Sequence, residues 1–318
     1  MKKILAFSYT ALLIFAAACS TKENFTDFET IDKNNAFRVK IKTGNFIKLS
    51  DGFTYYEYEN MDADTVLVMV HGFSVPSYIW DSTYQAAIKR GYGALRYDTY
   101  GRGNSDNPDV VYDVALFSNQ LKELLDVLKI NRKINLLGLS NGGRTISAFA
   151  FQYPERIMNL IYVDAAGFET ITDTLSNRPT VSDEEIQSFK TQRYPTMAVG
   201  QMGDFYDSTP FKGWNKKYEE VMKYRGFVRA LISTTKNTTN LKNEQRRIAG
   251  SGIPVFAIWG QYDAVVKLAD IRANMMERIP SVKLFIIPKA GHLPHMEQPE
   301  LFDSILFDEI IRGKEDEK

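Results

Sequence analysis

The chain has 318 residues, 44% of them apolar, with 39 basic and 39 acidic side chains and a formal net charge of zero. That length suits one large α/β domain carrying an insertion, or two small domains, with an ordinary hydrophobic core. The even charge balance, without a basic stripe, excludes nucleic acid as a partner, and the chain shows no internal repeat or heptad pattern.

Residues 1–18 read as a signal peptide. Lys2 and Lys3 precede an apolar run over 4–18 that ends in Ala16-Ala17-Ala18-Cys19. The run is too short for a comfortable membrane span and has the layout of a secretory signal. Cys19 is the only cysteine, which excludes an intramolecular disulfide. Its position resembles the lipobox of bacterial lipoproteins, where the cysteine becomes the lipidated first residue, although Ala16 stands where leucine is more usual. Ordinary signal cleavage after Ala18 is the alternative. Both readings place the protein outside the cytoplasm, lipid-anchored in the bacterial cell envelope in the first and soluble, secreted or periplasmic, in the second. Residues 19–45 are then expected to hold the lipid attachment and a flexible tether, since 20–35 is polar and aperiodic.

Beyond the tether, strand-like runs recur at 46–49, 54–58, 65–70, 94–97, 134–137, 160–163, 255–259 and 284–287. The first two are expected to form an antiparallel hairpin. Run 65–70 is nearly all apolar, as suits a strand buried on both faces. Helical patterns lie between many of the runs: Val114, Phe117, Leu121, Leu124, Leu125 and Leu128 recur at spacings of three and four. Residues 299–311 predict a closing helix, stopped by Gly313. Strands alternating with helices imply a mostly parallel, doubly wound sheet.

One interval breaks this rhythm. A structureless loop of roughly 80 residues between Asp164 and Ile253 would be implausible, so a helical insertion, packed as a lid over the sheet, is expected there. It carries Phe189, Tyr194, Met197, Met202, Phe205, Tyr206, Phe211, Trp214, Tyr218, Met222, Tyr224 and Phe227. Most of these are expected to form its own core, with a few facing a pocket. The resulting division is a core over 46–168, a helical lid over 169–250, and the rest of the core over 251–318.

The run over 134–137 leads into Gly138-Leu139-Ser140-Asn141-Gly142-Gly143. Gly-x-Ser-x-Gly alone is weak, but a strand before it and a helix behind it put Ser140 on a sharp turn with an exposed hydroxyl. Such a nucleophile needs a base. The chain has three histidines, His71, His292 and His295. His292 follows the last strand on the glycine-containing loop Lys289-Ala290-Gly291-His292, and His295 is its rival. The base needs an anion. Asp263 follows the strand over 255–259 in Gly260-Gln261-Tyr262-Asp263, and Asp164, ending the previous strand, is the rival acid. The backbone N–H groups of Phe73, in His71-Gly72-Phe73-Ser74, and of Asn141 are the candidate oxyanion donors. His71 then shapes a turn.

These pieces, with Arg96-Tyr97-Asp98-Thr99-Tyr100-Gly101-Arg102-Gly103-Asn104-Ser105-Asp106 and Gly291-His292-Leu293-Pro294-His295-Met296-Glu297-Gln298-Pro299, resemble the α/β-hydrolase superfamily, in its lidded lipase, esterase and haloperoxidase-like branch. The motifs occur in the family's order over residues 46–312. The resemblance implies an eight-stranded α/β-hydrolase sheet and a triad in the order Ser140, Asp263, His292. The first histidine of Gly-His-x-x-His is the family's catalytic one, which favours His292 over His295. Asp98 and Arg102 are implied to be structural. Asn141 departs from the Met, Gln or Trp of many relatives, so specificity does not transfer with the motif.

The expected function is hydrolysis of carboxylic esters of short to medium acyl chains, such as monoacylglycerol-like lipids, through an acyl-enzyme without metal or organic cofactor. Proline-iminopeptidase-like, carbon–carbon bond hydrolase and cofactor-free haloperoxidase or perhydrolase activities share the serine triad and stay open. For the first, Asp183, Glu184 and Glu185 are candidate lid carboxylates, although such a cluster suits a solvated helix start. A non-catalytic, ligand-binding surface lipoprotein is the alternative of another class. Oligomeric state, membrane leaflet and substrate identity are not legible.

Overall fold

Residues 28–171 and 179–312 are described by the computed structural model. Residues 1–18, expected as a signal peptide, and Cys19 lie outside them. All eight apolar runs are strands, their ends shifted by at most three residues: β1 (Asn45–Lys48), β2 (Phe53–Glu59), β3 (Val66–Val70), β4 (Gly93–Tyr97), β5 (Ile134–Leu139), β6 (Ile157–Val163), β7 (Val255–Gly260) and β8 (Lys283–Ile287). They form one sheet in the order β1-β2-β4-β3-β5-β6-β7-β8. β1 and β2 are the expected antiparallel hairpin, and β2 is also antiparallel to β4. Every other neighbouring pair is parallel.

The sheet separates two apolar layers because strand side chains alternate. In β3, Leu67 and Met69 join one cluster while Val66, Val68 and Val70 join the other. All five are fully buried, which is why the strand reads as a continuous apolar run. The helix Val114–Val127 is capped by Asp113, whose carboxylate accepts the N–H of Leu116 at 2.9 Å. Its 3.6-residue stripe buries Phe117, Leu121, Leu124 and Leu125. The closing helix begins as Pro299–Asp303 and widens into the π-helical stretch Ser304–Ile311.

Between β6 and β7 the described residues contain no strand. The helices Asp183–Gln192, Tyr194–Gly200, Trp214–Val221 and Phe227–Lys236 make the insertion. Tyr194, Phe205, Trp214, Tyr218, Met222 and Phe227 are buried in the same cluster as Leu67 and Leu137, so the insertion's core is continuous with one sheet layer. The helix Lys242–Ala249 behaves differently. Ile248 packs in the other layer with Phe149 and Ala150, and Gln245 Nε2 donates to the carbonyl of Gly167 at 3.0 Å. It covers the sheet as an ordinary crossover helix, ahead of the boundary expected at residue 250.

The segment expected as the end of a flexible tether is bound along the insertion. Glu29 N–H donates to the Met222 carbonyl at 3.1 Å, Ile31 N–H to Lys223 at 2.9 Å, and Arg225 N–H returns to Ile31 at 2.9 Å. Glu29 Oε1 accepts the N–H of Val228 at 2.9 Å, at the positive end of the helix Phe227–Lys236, and its carboxylate also pairs with Lys190. Lys33 Nζ reaches the core loop, donating to the carbonyl of Ser105 and to Asn107 Oδ1; burial pushes its ammonium down to about 7. Polar composition hid this strap because backbone bonds and charge, rather than an apolar stripe, hold it.

Glu29→Ala removes a charged acceptor from a buried N–H and strands Lys190. It is expected to cost about 1–3 kcal/mol, read as a lower urea midpoint with unchanged slope. An unaltered midpoint would mean that the strap contributes nothing to the fold.

Candidate active site

Parallel pairing brings the candidate residues to one sheet edge. Val70 of β3 lies opposite Gly138 of β5, Val163 of β6 opposite Ile258 of β7, and Gly260 of β7 opposite Ile287 of β8. The loops that leave these carboxyl ends carry Phe73, Ser140, Asp164, Asp263 and His292.

Ser140 has φ 51°, the left-handed region, which a side-chain-bearing residue holds only where the surroundings over-determine it. Its N–H donates to Val163 at 3.0 Å, and its carbonyl accepts from Gly143 at 2.9 Å and Ala166 at 2.8 Å. The reversal leaves no space at Gly138 or Gly142. A Cβ on the first would lie 2.7 Å from the Gly142 carbonyl oxygen, and one on the second 2.6 Å from that of Val70. The β3 loop rests against the serine: a Cβ on Gly72 would lie 3.2 Å from Ser140 Cβ.

His292 Nδ1 lies 3.0 Å from Asp263 Oδ2. The other oxygen of Asp263 accepts the N–H groups of Val265 at 2.8 Å and Val266 at 3.0 Å. The carboxylate is thus fixed, and its bond assigns the proton to Nδ1, leaving a lone pair on Nε2. Asp164, the rival acid, makes no bond to the imidazole. Its Oδ1 accepts the N–H of Gly260 at 2.9 Å, while Oδ2 has no hydrogen-bond partner. Burial and then the charge of Asp263 hold its carboxyl well above the usual carboxylate range. Asp164, Asp263 and His292 are the only three metal-capable side chains that the described residues gather within 4.8 Å; the bonds above occupy most of their ligand atoms.

Two histidines are structural by contact. His71 Nε2 accepts the N–H of Thr99 at 2.9 Å, and His295 Nε2 donates to the carbonyl of Ile79 at 2.9 Å with its ring on Trp80. Burial pushes each down to about 3, so both are neutral near pH 7. Asp98 ties its loop by accepting the N–H groups of Ser77 at 2.8 Å and Asn104 at 2.7 Å. Arg102 does more than hold that loop. Its Nε donates to the carbonyl of Phe73 at 2.7 Å and its Nη2 to Thr234 Oγ1 of the insertion at 2.9 Å. Among the described residues no acceptor meets the backbone N–H of Phe73 or of Asn141.

Ser140 and His292 line one cavity of about 150 Å³, with Phe73, Val75, Ile79 and Leu293 among its apolar walls. The insertion offers it Gln201 and Asp204, not its aromatic residues, which are consumed by packing. Neither polar residue was apparent from sequence, because no motif marks them. Asp183, Glu184 and Glu185 do not reach the cavity: they open a helix in a capping box with Ser182, and Glu185 pairs with Lys236.

Glu297 was also missed. Its Oε1 accepts the N–H groups of Tyr206 at 2.8 Å and Asp207 at 3.0 Å, and its Oε2 accepts that of Gly291. One carboxylate thus joins the insertion to the loop bearing His292. Glu297→Ala removes three charge-assisted bonds, so hydrogen exchange of the Tyr206 and Asp207 amides is expected to accelerate at least about tenfold, a change of about 1.4 kcal/mol. Unchanged protection would show that this latch is inert.

With this geometry in hand, comparison with known proteins is informative. A family model described as the alpha/beta hydrolase fold matches residues 65–299. A putative 2-succinyl-6-hydroxy-2,4-cyclohexadiene-1-carboxylate synthase of Bacillus subtilis (strain 168) is 27% identical, covering 82% of this chain and 96% of its own. Lipase 3 of Moraxella sp. (strain TA144) is 26% identical over 78% of this chain and 77% of its own. A 2-hydroxy-6-oxononadienedioate/2-hydroxy-6-oxononatrienedioate hydrolase of Pseudomonas sp. is 24% identical over 85% and 97%. Among solved structures, an esterase from Exiguobacterium antarcticum superposes with a TM-score of 0.70 at 21% identity, covering 84% of this chain and 98% of that one. The matched span, the eight-stranded sheet and the strand-to-helix turn at Ser140 agree, and the chain belongs to the α/β-hydrolase fold family.

Proposed function

We propose that the protein is a serine hydrolase that cleaves carboxylic esters of short acyl chains through an acyl-enzyme. The observation that carries this reading is the hydrogen-bonded His292–Asp263 pair opening on the same cavity as Ser140. Ser140 Oγ attacks the ester carbonyl carbon as its proton passes to His292 Nε2, and Asp263 stabilises the imidazolium. The carbonyl oxygen, now negative, takes up the unengaged N–H groups of Phe73 and Asn141. The intermediate collapses, the C–O bond breaks, and Nε2 protonates the departing alcohol. Water then attacks the acyl carbon, giving its proton to His292, and the carboxylic acid leaves as Ser140 is regenerated. Among the described residues no hydrogen bond joins Ser140 Oγ to His292, and that contact is expected to tighten when substrate binds.

Cavity size favours the short end of the expected acyl range. A void of about 150 Å³ accommodates a benzene-sized group, whereas the apolar insertion alone had suggested longer chains. The walls also favour esters over the dioate that names one relative. The cavity contains no Lys or Arg to receive a carboxylate and already holds Asp204. The same reading keeps the enzyme in the cell envelope on a lipid at Cys19, with the strap over 28–41 following the anchor.

Assays of residues 20–318 against p-nitrophenyl esters test this. Acetate to butyrate is expected to be turned over at least about tenfold better than octanoate, and Ser140→Ala to lose at least a thousandfold. Faster cleavage of a carbon–carbon bond in a dienedioate than of any ester would overturn the reading. The two acids should separate as well: Asp263→Asn is expected to lose on the order of 10⁴-fold in kcat, and Asp164→Asn, isosteric and not bonded to the imidazole, about threefold at most. The reverse order would make Asp164 the partner of the base.

A further inference from the structure

The cavity carries one ionisable side chain that the reaction above leaves unused. Asp204 closes the short 3₁₀ turn Gln201–Asp204 of the insertion and lines the cavity with Ser140 and His292. Its position is fixed by backbone. The carbonyl of Asp204 accepts the main-chain N–H of His292 at 2.7 Å, and a Cβ on Gly291 would lie 2.6 Å from the same oxygen. The two loops are in direct contact, so this carboxylate accompanies the imidazole.

Among the described residues the Asp204 carboxylate accepts no hydrogen bond and forms no ion pair, and no Lys or Arg lines the cavity. Burial pushes it up to about 6, against the pull of His292, so above that pH it is an anion. The residue is only partly buried, so its carboxylate is accessible from the cavity and open to a counter-charge carried by a ligand. Direction follows from the chemistry. The imidazole must deliver its proton to the departing alcohol, so the alcohol portion lies toward His292, while the carbonyl oxygen lies toward Phe73 and Asn141. Asp204, bonded to the His292 backbone, belongs to the alcohol side.

We infer that Asp204 is a specificity-determining residue that receives a cationic alcohol portion, making esters of amino alcohols the preferred substrate class. This rests on the serine-esterase reading. The carboxylate offers a charge-assisted contact to an ammonium group, and its charge repels an anionic alcohol portion. Gln201 beside it supplies an amide for any further polar group.

The test uses acetate esters of matched shape, followed by acid release at pH 7.5: 2-(trimethylammonio)ethyl acetate, its uncharged isostere 3,3-dimethylbutyl acetate, 2,3-dihydroxypropyl acetate and 2-sulfoethyl acetate. The wild-type protein is expected to prefer the ammonium ester over the isostere by about tenfold or more in kcat/KM, the sulfonate being poorest. In Asp204→Asn that ratio should fall to about one, whatever happens to the absolute rates, and Asp204→Glu should restore part of it. Circular dichroism establishes that each variant is folded, and the ratio in Asp204→Glu stands as the readout if the amide variant is not. If wild type turns over the esters in a Ser140-dependent way but shows no ammonium preference, favours the dihydroxypropyl ester, or keeps its preference in Asp204→Asn, this assignment is wrong while the esterase reading stands. If no ester is turned over, the esterase reading itself fails.

Discussion

The rest of the site depends on the reversal at Ser140. A left-handed residue between a strand and a helix is unfavourable for any side chain with a Cβ, and the chain meets that cost with bonds from outside the turn. Val163 and Ala166 of the β6 end hold the backbone of the serine, and the close passage of Gly138, Gly142 and Val70 forbids a wider curve. The same tightness that strains Ser140 brings the loop of Gly72 and Phe73 against it. The exposed serine and the neighbouring N–H groups of Phe73 and Asn141 are therefore two consequences of one backbone constraint.

Around this turn the protein gathers three carboxyl groups near a single imidazole, and their environments divide their roles. Asp263 has backbone donors on one oxygen and the imidazole on the other, so it is held in place against the ring. Asp164, fully buried with one backbone donor, has its carboxyl pushed well above the usual carboxylate range by burial and by Asp263. Asp204 sits on the cavity side with neither donors nor a cation, and its charge faces whatever enters. Three identical side-chain chemistries are separated by solvation and hydrogen bonding alone.

The sheet was legible because burial on both faces leaves apolar runs such as Val66–Val70, and the crossover pattern left few ways to order them. Asp263 and His292 were legible for a related reason: each follows directly from the carboxyl end of a strand, so local sequence almost determines its place. Gln201, Asp204 and Glu297 were not, since their roles exist only once the insertion is laid on the His292 loop. The aromatic residues of the insertion pointed toward a greasy acyl site, yet Phe205, Trp214 and Tyr218 are spent on packing and the cavity receives polar groups instead. The strap was read as tether because its contacts, such as Glu29 with Val228, involve no periodic apolar face.

The strap and the Glu297 contact together make the insertion asymmetric. Along one margin, residues 29–33 stitch the stretch Met222 to Val228 to the core loop at Ser105 and Asn107 through backbone and buried charge. Along the other, the stretch over 201–207 is secured by the backbone bond from His292 N–H to the Asp204 carbonyl, by the Glu297 carboxylate, by buried Phe205 and by Tyr206 stacked on Tyr262. The second margin is the one that carries Asp204, so the residues that tie the insertion to the His292 loop also place a carboxyl group on the wall of the cavity.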